Sequence, residues 1–369
     1  EGSNIPWDAW VEPMSWWLSF ILALSLMLIC MSSILHRQWS VHERLAYPMV
    51  QLPQNMIEKD SDSLIAPFFR SGIMWLGFLV PLTFLSFNAL NHYWPAFPQY
   101  SPNGQFSMFN NTLMLPVSLN LAWVGFFYLV NLEITFSIWF FYVLSKIQEG
   151  VFTTIGIASN ETLSAYEYSQ PADLTHQATG AVVVLVIYGL WNARDHLRDV
   201  CKKLWDPNGG IDDSGELLRY RTAVWIFLGC LLFISIWLWR SGIPIVVLPA
   251  LIVISLIFFV LVARVVATGG VATARSPIVP AYFIISGLGT SILGAKGLVA
   301  LNFTFIWQGE SRTSPMVAAS NGLKLAELIS GSKTILFWGL ILALSCSLLG
   351  AAYMTLKLAY TYGAINLSL

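Results

Sequence analysis

The run NTLMLPVSLNLAWVGFFYLVNLEITFSIWFFYVLS, from Asn111 to Ser145, is apolar almost throughout and carries one charged residue, Glu133. About 20 apolar residues suffice for one helical crossing of a bilayer. The run is therefore too long for one ordinary span. It reads either as two helices joined by a turn or as one broken helix. An acid at membrane depth costs roughly 2.5–3.5 kcal/mol, so it is kept there only if it faces water, pairs with another group or holds a proton. On that reading Glu133 is a candidate in a solute or ion path. If the chain turns near Asn131, Glu133 is instead a surface turn residue, and the sequence leaves both readings open.

The rest of the chain agrees with a membrane setting. Of its 369 residues 56% are hydrophobic and only 11% are charged, against about 25% charged in soluble domains. The mean hydropathy is +0.66. The apolar segments are longer than the strictly alternating strands of a membrane barrel, which run to about 10 residues. The expected fold class is all-α: a polytopic transmembrane helical bundle forming one transmembrane domain over 1–369. A net charge of -1 argues against a nucleic-acid partner. Cys30, Cys201, Cys230 and Cys346 are scattered and form no CxxC pair, so no metal knuckle or disulfide framework is indicated. The opening EGSNIPWDAW is read as the start of the C-terminal part of a longer protein.

Spans follow from the apolar runs, and sidedness from the basic loops. The first span is Met14–Leu35 and the second Ile73–Leu90. Between them lies a polar elbow loop, 36–71, with Arg37, Arg44, Lys59 and Arg70. The loop Asn91–Asn110 has no Lys or Arg, whereas the loop 193–221 is the most basic. The two basic loops are expected on the cytoplasmic side. Parity then requires Asn111–Ser145 to cross twice: Thr112–Val130 as one span, a break near Asn131–Glu133, and a short or re-entrant Ile134–Ser145. Lys146–Gln177 reads as an outer loop. Within 193–221, Leu197, Val200, Cys201 and Leu204 share a helical face flanked by Arg and Lys, the pattern of an interfacial amphipathic helix. The later spans are Ala178–Asn192, Thr222–Trp239, Ile243–Val262 and Ile335–Leu356. The run Ile278–Trp307 contains Gly287, Gly289, Gly294 and Gly297, and is a second region where a helix should break. The total is about ten crossings with two broken or re-entrant regions.

Two interrupted apolar runs, each with one ionisable residue, form the pattern of a transporter site. Glu133 and Lys296 are the ionisable candidates and would offset each other's burial if paired. Asn120, Asn131 and Asn302 are further path candidates, although amides in apolar helices also serve as interhelical glue. Arg37, Glu43 and Arg44 are candidates for a gate or a fixed elbow, with Pro48 and Pro53 expected to prevent a continuous helix there. There is no HExxH, GxSxG or Walker loop. Neither an enzyme nor a bound metal or other cofactor is expected.

A resemblance adds to this. HRQWSVHERLAYPMVQLPQNM, from His36 to Met56, resembles the R-x-W-x-x-x-E-R-L-x-[YF]-P-x-x-Q-L-P signature of a large bacterial family of polytopic membrane proteins of uncharacterised activity. That family is distantly similar to oligopeptide transporters. YLVNLEITFSIWFFYVL (128–144), DDSGELLRYRTAVW (212–225) and SRTSPMVAASNGLKLAE (311–327) resemble the same family. The resemblance implies a transporter of the bacterial inner membrane moving small peptides or metal chelates; the missing Walker loop points to a secondary mechanism, and a buried Glu133 that exchanges protons would couple it to them. The transporters' Asn-Pro-Gly and Lys-Ile-Pro-Pro-Arg motifs do not occur, so no binding residue carries over. The expected partners are the lipid bilayer, a small-molecule substrate, and a second copy or larger membrane assembly. The alternative is an accessory subunit of such an assembly.

Overall fold

Helix α1 runs from Trp7 to Arg37, a rise of about 46 Å, more than a bilayer's apolar thickness. Asp8 in its first turn and His36 and Arg37 in its last complement its dipole. It ends in a π-helical turn, Gln38–His42, closed by the Glu43 N–H bonding to the Gln38 carbonyl at 2.8 Å. The computed structural model describes residues 5–58, 66–99, 103–109, 113–157, 159, 161, 163, 171–206, 212–213, 215–271, 274–309, 314–328 and 333–366.

After the π turn come α2 (Pro48–Ile57), α3 (Pro67–Arg70) and α4 (Gly72–Tyr93). A hairpin of β1 (Asn103–Met108) and β2 (Leu113–Ser118) leads to α5 (Leu121–Tyr128) and α6 (Leu132–Ile155). The chain continues through α7 (Ala172–Asn192), α8 (Arg194–Trp205), α9 (Tyr220–Arg240) and α10 (Leu248–Gly269). It then forms α11 (Pro280–Leu288), α12 (Thr290–Phe303), α13 (Phe305–Gln308), α14 (Pro315–Leu328) and α15 (Lys333–Tyr362). Among the described residues the fold is helical apart from the hairpin and the connecting turns. Among the described residues seven helical segments are long and apolar enough to cross a membrane, against the ten or so expected: Trp7–His42, α4, α7, α9, α10, Thr290–Gln308 and α15.

Three sequence readings are corrected. Thr112–Val130 is not one helix. Pro116 has no N–H to give a helix, and it is accommodated opposite Gln105 in the two-stranded hairpin. Asn120 then caps α5, whose eight residues rise only about 12 Å. Second, Lys146–Gln177 is not all loop. Helix α6 continues through Lys146 to Ile155, because Lys146 and Glu149 neutralise each other one turn apart, 2.7 Å between Nζ and Oε2. Third, Pro53 does not break the elbow. Pro48 starts α2 at a position that suits its fixed φ, and Pro53 rides within the same helix.

The chain divides into two compact units, one of 1–44, 182–263 and 279–369, the other of 45–181 and 264–278. In the first, α1 packs against α9 and α14, with Ile29, Leu217, Ala319, Leu323 and Phe337 in one core cluster. The pairing of α1 with α9 is antiparallel. Near one end the Trp237 indole donates to the Trp16 carbonyl at 3.1 Å. Near the other, Arg37 donates to the Asp212 carbonyl at 2.8 Å, just before α9 begins. Helix α15 also opposes α1, since Lys333 donates to the Gly215 carbonyl while Trp10 donates to the Tyr360 hydroxyl at 2.9 Å. The first unit thus has an aromatic end and a charged end. Trp16 and Arg37 stand about 30 Å apart along α1, one hydrocarbon thickness.

In the second unit Tyr47, buried and in the left-handed region at φ 44, starts α2 and donates its N–H to the Ala267 carbonyl at 2.8 Å. Pro48 lies against Gly270, where an added Cβ would come within 2.6 Å of the Pro48 ring. Gly270 also has φ +62, so the position requires glycine both for its backbone and for space.

Candidate functional site

The π turn creates the polar centre of the first unit. A π turn widens the helix and shifts the register of the residues after it. Here it sets Ser40 one turn beyond His36 and on the same side, facing the last turns of α14. Glu327 of α14 accepts from both: its Oε1 lies 2.8 Å from His36 Nε2, and the Ser40 hydroxyl donates to the two carboxylate oxygens at 3.0 and 2.9 Å. Lys324, one helical turn back, reaches Glu327 Oε2 at 2.8 Å and the Ser40 hydroxyl at 2.7 Å. Burial by itself raises the Glu327 carboxyl. The bonds from His36, Lys324 and Ser40 outweigh it and hold the group at about 2.

A second layer of polar groups surrounds this centre. His196 of α8 is buried and its Nε2 lies 2.8 Å from the Ile34 carbonyl. Its ring meets those of His42 and Tyr220 edge-on, with centroids 6.0 and 5.7 Å away. Gln38 links His42 to Glu43, with contacts of 3.1 and 3.0 Å. The Tyr220 hydroxyl donates to Glu216 at 3.2 Å.

From here a polar seam runs inward between α1 and α14. The fully buried Ser32 hydroxyl donates to the Met316 carbonyl at 3.0 Å and lies 3.2 Å from that of Ser320. Along the same stretch Ser33 Oγ, His36 Nδ1 and Ser314 Oγ are buried without a hydrogen-bond partner among the described residues. Unsatisfied buried groups of this kind are rare in native structures, and a water or small polar solute satisfies them where there is room.

Deeper in the unit the polar groups carry no charge. Gln308 accepts from the Ala281 N–H at 3.2 Å and from the Thr304 hydroxyl at 3.1 Å, and its amide donates to Ser255 at 2.9 Å. All three side chains are buried. They sit where α11 begins, at Ala281, and where α12 gives way to α13, at Thr304 and Gln308. The glycine breaks lie farther along, about 12 Å of helix from Ala281 and about 15 Å from Thr304. Helix α11 ends at Gly289, φ 75 and ψ 166, and α12 is broken again at Gly294, φ 62 and ψ 173. Only glycine adopts such angles without strain, which is how the sequence places two breaks within six residues.

The sequence candidates fall in different places. Asn120 and Asn131 are spent on helix starts: Asn120 accepts from the N–H groups of Ala122 and Trp123 at 3.0 and 3.4 Å, and Asn131 from that of Glu133 at 3.2 Å. Glu133 is exposed in the first turn of α6, where an acid suits the helix dipole. Both expected breaks, at Asn131 and between Gly287 and Gly297, are present. Glu133 and Lys296 belong to different units. Lys296 and Asn302 are exposed on α12. Of the elbow candidates, Glu43 joins the surrounding layer through Gln38, Arg37 donates to the Asp212 carbonyl, and Arg44 supplies a left-handed backbone, φ 53. His36, Ser40, His196, Lys324, Glu327 and Gln308 were not singled out in the sequence. The signals were present in part: a glutamate in a polar stretch after an amphipathic helix, and a histidine inside an apolar helical face.

The chain belongs to a family described as "Family of unknown function (DUF6785)", whose model matches residues 1–369. No curated protein and no solved structure matches the chain.

Proposed function

We propose that the protein is a multi-pass membrane protein of the secondary-transporter class, moving a small polar solute through its first unit. The observation that carries this reading is the buried, uncharged network of Gln308, Ser255 and Thr304 at the interruption between α12 and α13. Interrupted helices next to buried polar groups in an apolar bundle are the usual make-up of a transporter's binding site. The buried Ser32, Ser33, Ser314 and Ser320 extend the polar groups of the charged end inward along α1 and α14. The positive-inside rule assigns the charged end, with Arg37, Arg194, Arg198 and Lys202, to the cytoplasm. Glu327 is a fixed anion that anchors α14 to the π turn, and Glu133 is a helix-start residue outside the route. The resemblance read from the His36–Met56 motif suggests peptides or metal chelates as first substrates to try.

One observation favours the accessory-subunit reading. Helix α4 has no buried residue at all, although a helix in a bundle normally buries one face. A second copy or another subunit would cover it.

The test is uptake by purified protein in phospholipid vesicles, with a mixture of short peptides and metal chelates outside and an imposed proton or sodium gradient. Vesicle contents are read by mass spectrometry. Gradient-dependent accumulation of one class supports the transporter reading. No accumulation, together with recovery of the native protein in a stable hetero-complex, overturns it.

A further inference from the structure

At the aromatic end of the first unit an open cleft of about 70 Å³ is lined by Trp16, Trp17, Trp237, Phe303 and Trp307, with Ser241 and Thr304 at its walls. The rings hold one another in place. Trp237 stacks on Trp16 with centroids 5.2 Å apart and meets Trp17 edge-on at 5.0 Å. Phe20 braces both Trp237 and Trp307 from the buried side, at 4.4 and 5.4 Å.

Two cations stand near the cleft. Lys296 lies one helical turn before Ala300 on α12, on the face that carries Ala300, Phe303 and Trp307 toward the cleft. Its backbone carbonyl borders the Gly242 turn, 3.8 Å from where a Cβ would stand. Arg240 ends α9, directly before Ser241 of the cleft wall. Both cations are exposed, and neither makes an ion pair among the described residues. Glu12 lies one turn before Trp16 on α1.

The level of the cleft narrows the choice of ligand. It stands about 30 Å from Arg37 along α1, so if the charged end lies at one membrane surface the cleft lies at the other. Tryptophan settles at that level because its ring is apolar while its N–H is polar. A ligand there meets an apolar aromatic trough below and two unpaired cations above.

We propose that this cleft is a binding site for one anionic phospholipid, its acyl chain along the tryptophans and its phosphate between Lys296 and Arg240. The aromatic walls take the chain by apolar contact, and the cations select the headgroup. The inference rests on the membrane placement of the first unit and is independent of solute transport.

The test uses the full chain reconstituted in phosphatidylcholine vesicles with a trace of phosphatidylglycerol carrying a photoreactive diazirine on one acyl chain. After illumination, labelled peptides are mapped by mass spectrometry. Labelling is expected on the segments holding Trp16, Trp237 and Phe303. Excess unlabelled phosphatidylglycerol should displace it, and excess phosphatidylcholine should not. The double variant Lys296→Gln/Arg240→Gln should lower labelling of these segments about tenfold, given the attraction of each cation for an anionic lipid surface. Labelling of α8 at the opposite end should persist in the same sample, which shows that the variant is folded and inserted. Equal displacement by the two lipids, or unchanged labelling of the cleft in the double variant, overturns the proposal. A protein that takes up no solute but is labelled in this way leaves the lipid site standing and removes only the transport reading.

Discussion

Glu133 and Glu327 occupy regions that contrast in every respect. Glu133 interrupts the longest apolar run of the chain, yet it is exposed at the start of α6 and its neighbour Asn131 serves only to cap the helix. Glu327 lies in a polar stretch whose hydropathy marks no site, yet His36, Ser40 and Lys324 converge on it from α1, the π turn and α14. Local hydropathy measures what an acid would cost if its segment were straight and buried. It does not register that the chain turns at Asn131, or that a π turn brings Ser40 to a helix almost 300 residues away. The number of donors reaching a carboxylate, which only tertiary packing decides, separates the structural acid from the incidental one.

The comparison breaks if the two acids respond alike to substitution. Glu327→Gln keeps the shape but removes the charge between buried His36 and Lys324. It should destabilise the protein by about 2–3 kcal/mol, less than for a fully buried pair because the carboxylate is 26% exposed. The midpoint of thermal unfolding in detergent, followed by tryptophan fluorescence, reads this directly. Gly270→Ala is the control for a purely steric fault. With a positive φ and a Cβ against Pro48, it should cost about 2 kcal/mol without altering the pH profile.

The pH profile sharpens the contrast. The Glu327 carboxyl is held at about 2, below its ordinary 4.5, so the unfolded chain takes up its proton first as the medium is acidified. The stability it contributes is complete above about pH 4.5 and is lost as pH falls toward 2. Allowing for solvent screening, this amounts to about 1–2 kcal/mol. Wild type should therefore lose more of its unfolding midpoint between pH 5 and pH 3 than Glu327→Gln does. Parallel curves would show that the three donors do not hold the carboxylate. The smallest effects belong to the other region. Asn131→Ala should cost about 1 kcal/mol through the lost cap, and Glu133→Gln about 0.5 kcal/mol or less through the helix dipole.

Much of the architecture was legible. Apolar length located α1, α4, α7, α9, α10 and α15, and the amphipathic spacing located α8. Even there the buried face carries His196 and Val200, while Cys201, read as part of it, is exposed. The four glycines announced the break in α11–α12, because positive φ is a backbone demand that shows in residue type. The hairpin was not legible. Its first strand, NGQFSM, lies in what reads as a loop, and its second, LMLPVS, is apolar enough to pass for membrane helix, with only Pro116 against that. The candidate site was legible in fragments. The His36–Glu43 motif marked one wall, but the other wall, Lys324 and Glu327, reads as an ordinary solvated helix face. Gln308 follows a tryptophan at the end of an apolar run and looks like any helix terminus. Its importance depends on Ser255, Thr304 and the Ala281 N–H meeting it, which no spacing rule contains.

The proposed solute path passes Gln308 and does not pass Glu133. Uptake into proteoliposomes of wild type, Gln308→Met, Thr304→Val and Glu133→Gln tests it most directly, with size-exclusion profiles confirming that each variant is folded. Gln308→Met keeps length and loses three hydrogen bonds, each worth about 1 kcal/mol. It should lower the rate of uptake at least about tenfold. Thr304→Val should lower it less, and Glu133→Gln should match wild type. Loss of uptake in Glu133→Gln with Gln308→Met unaffected would place the path in the other unit and contradict the account.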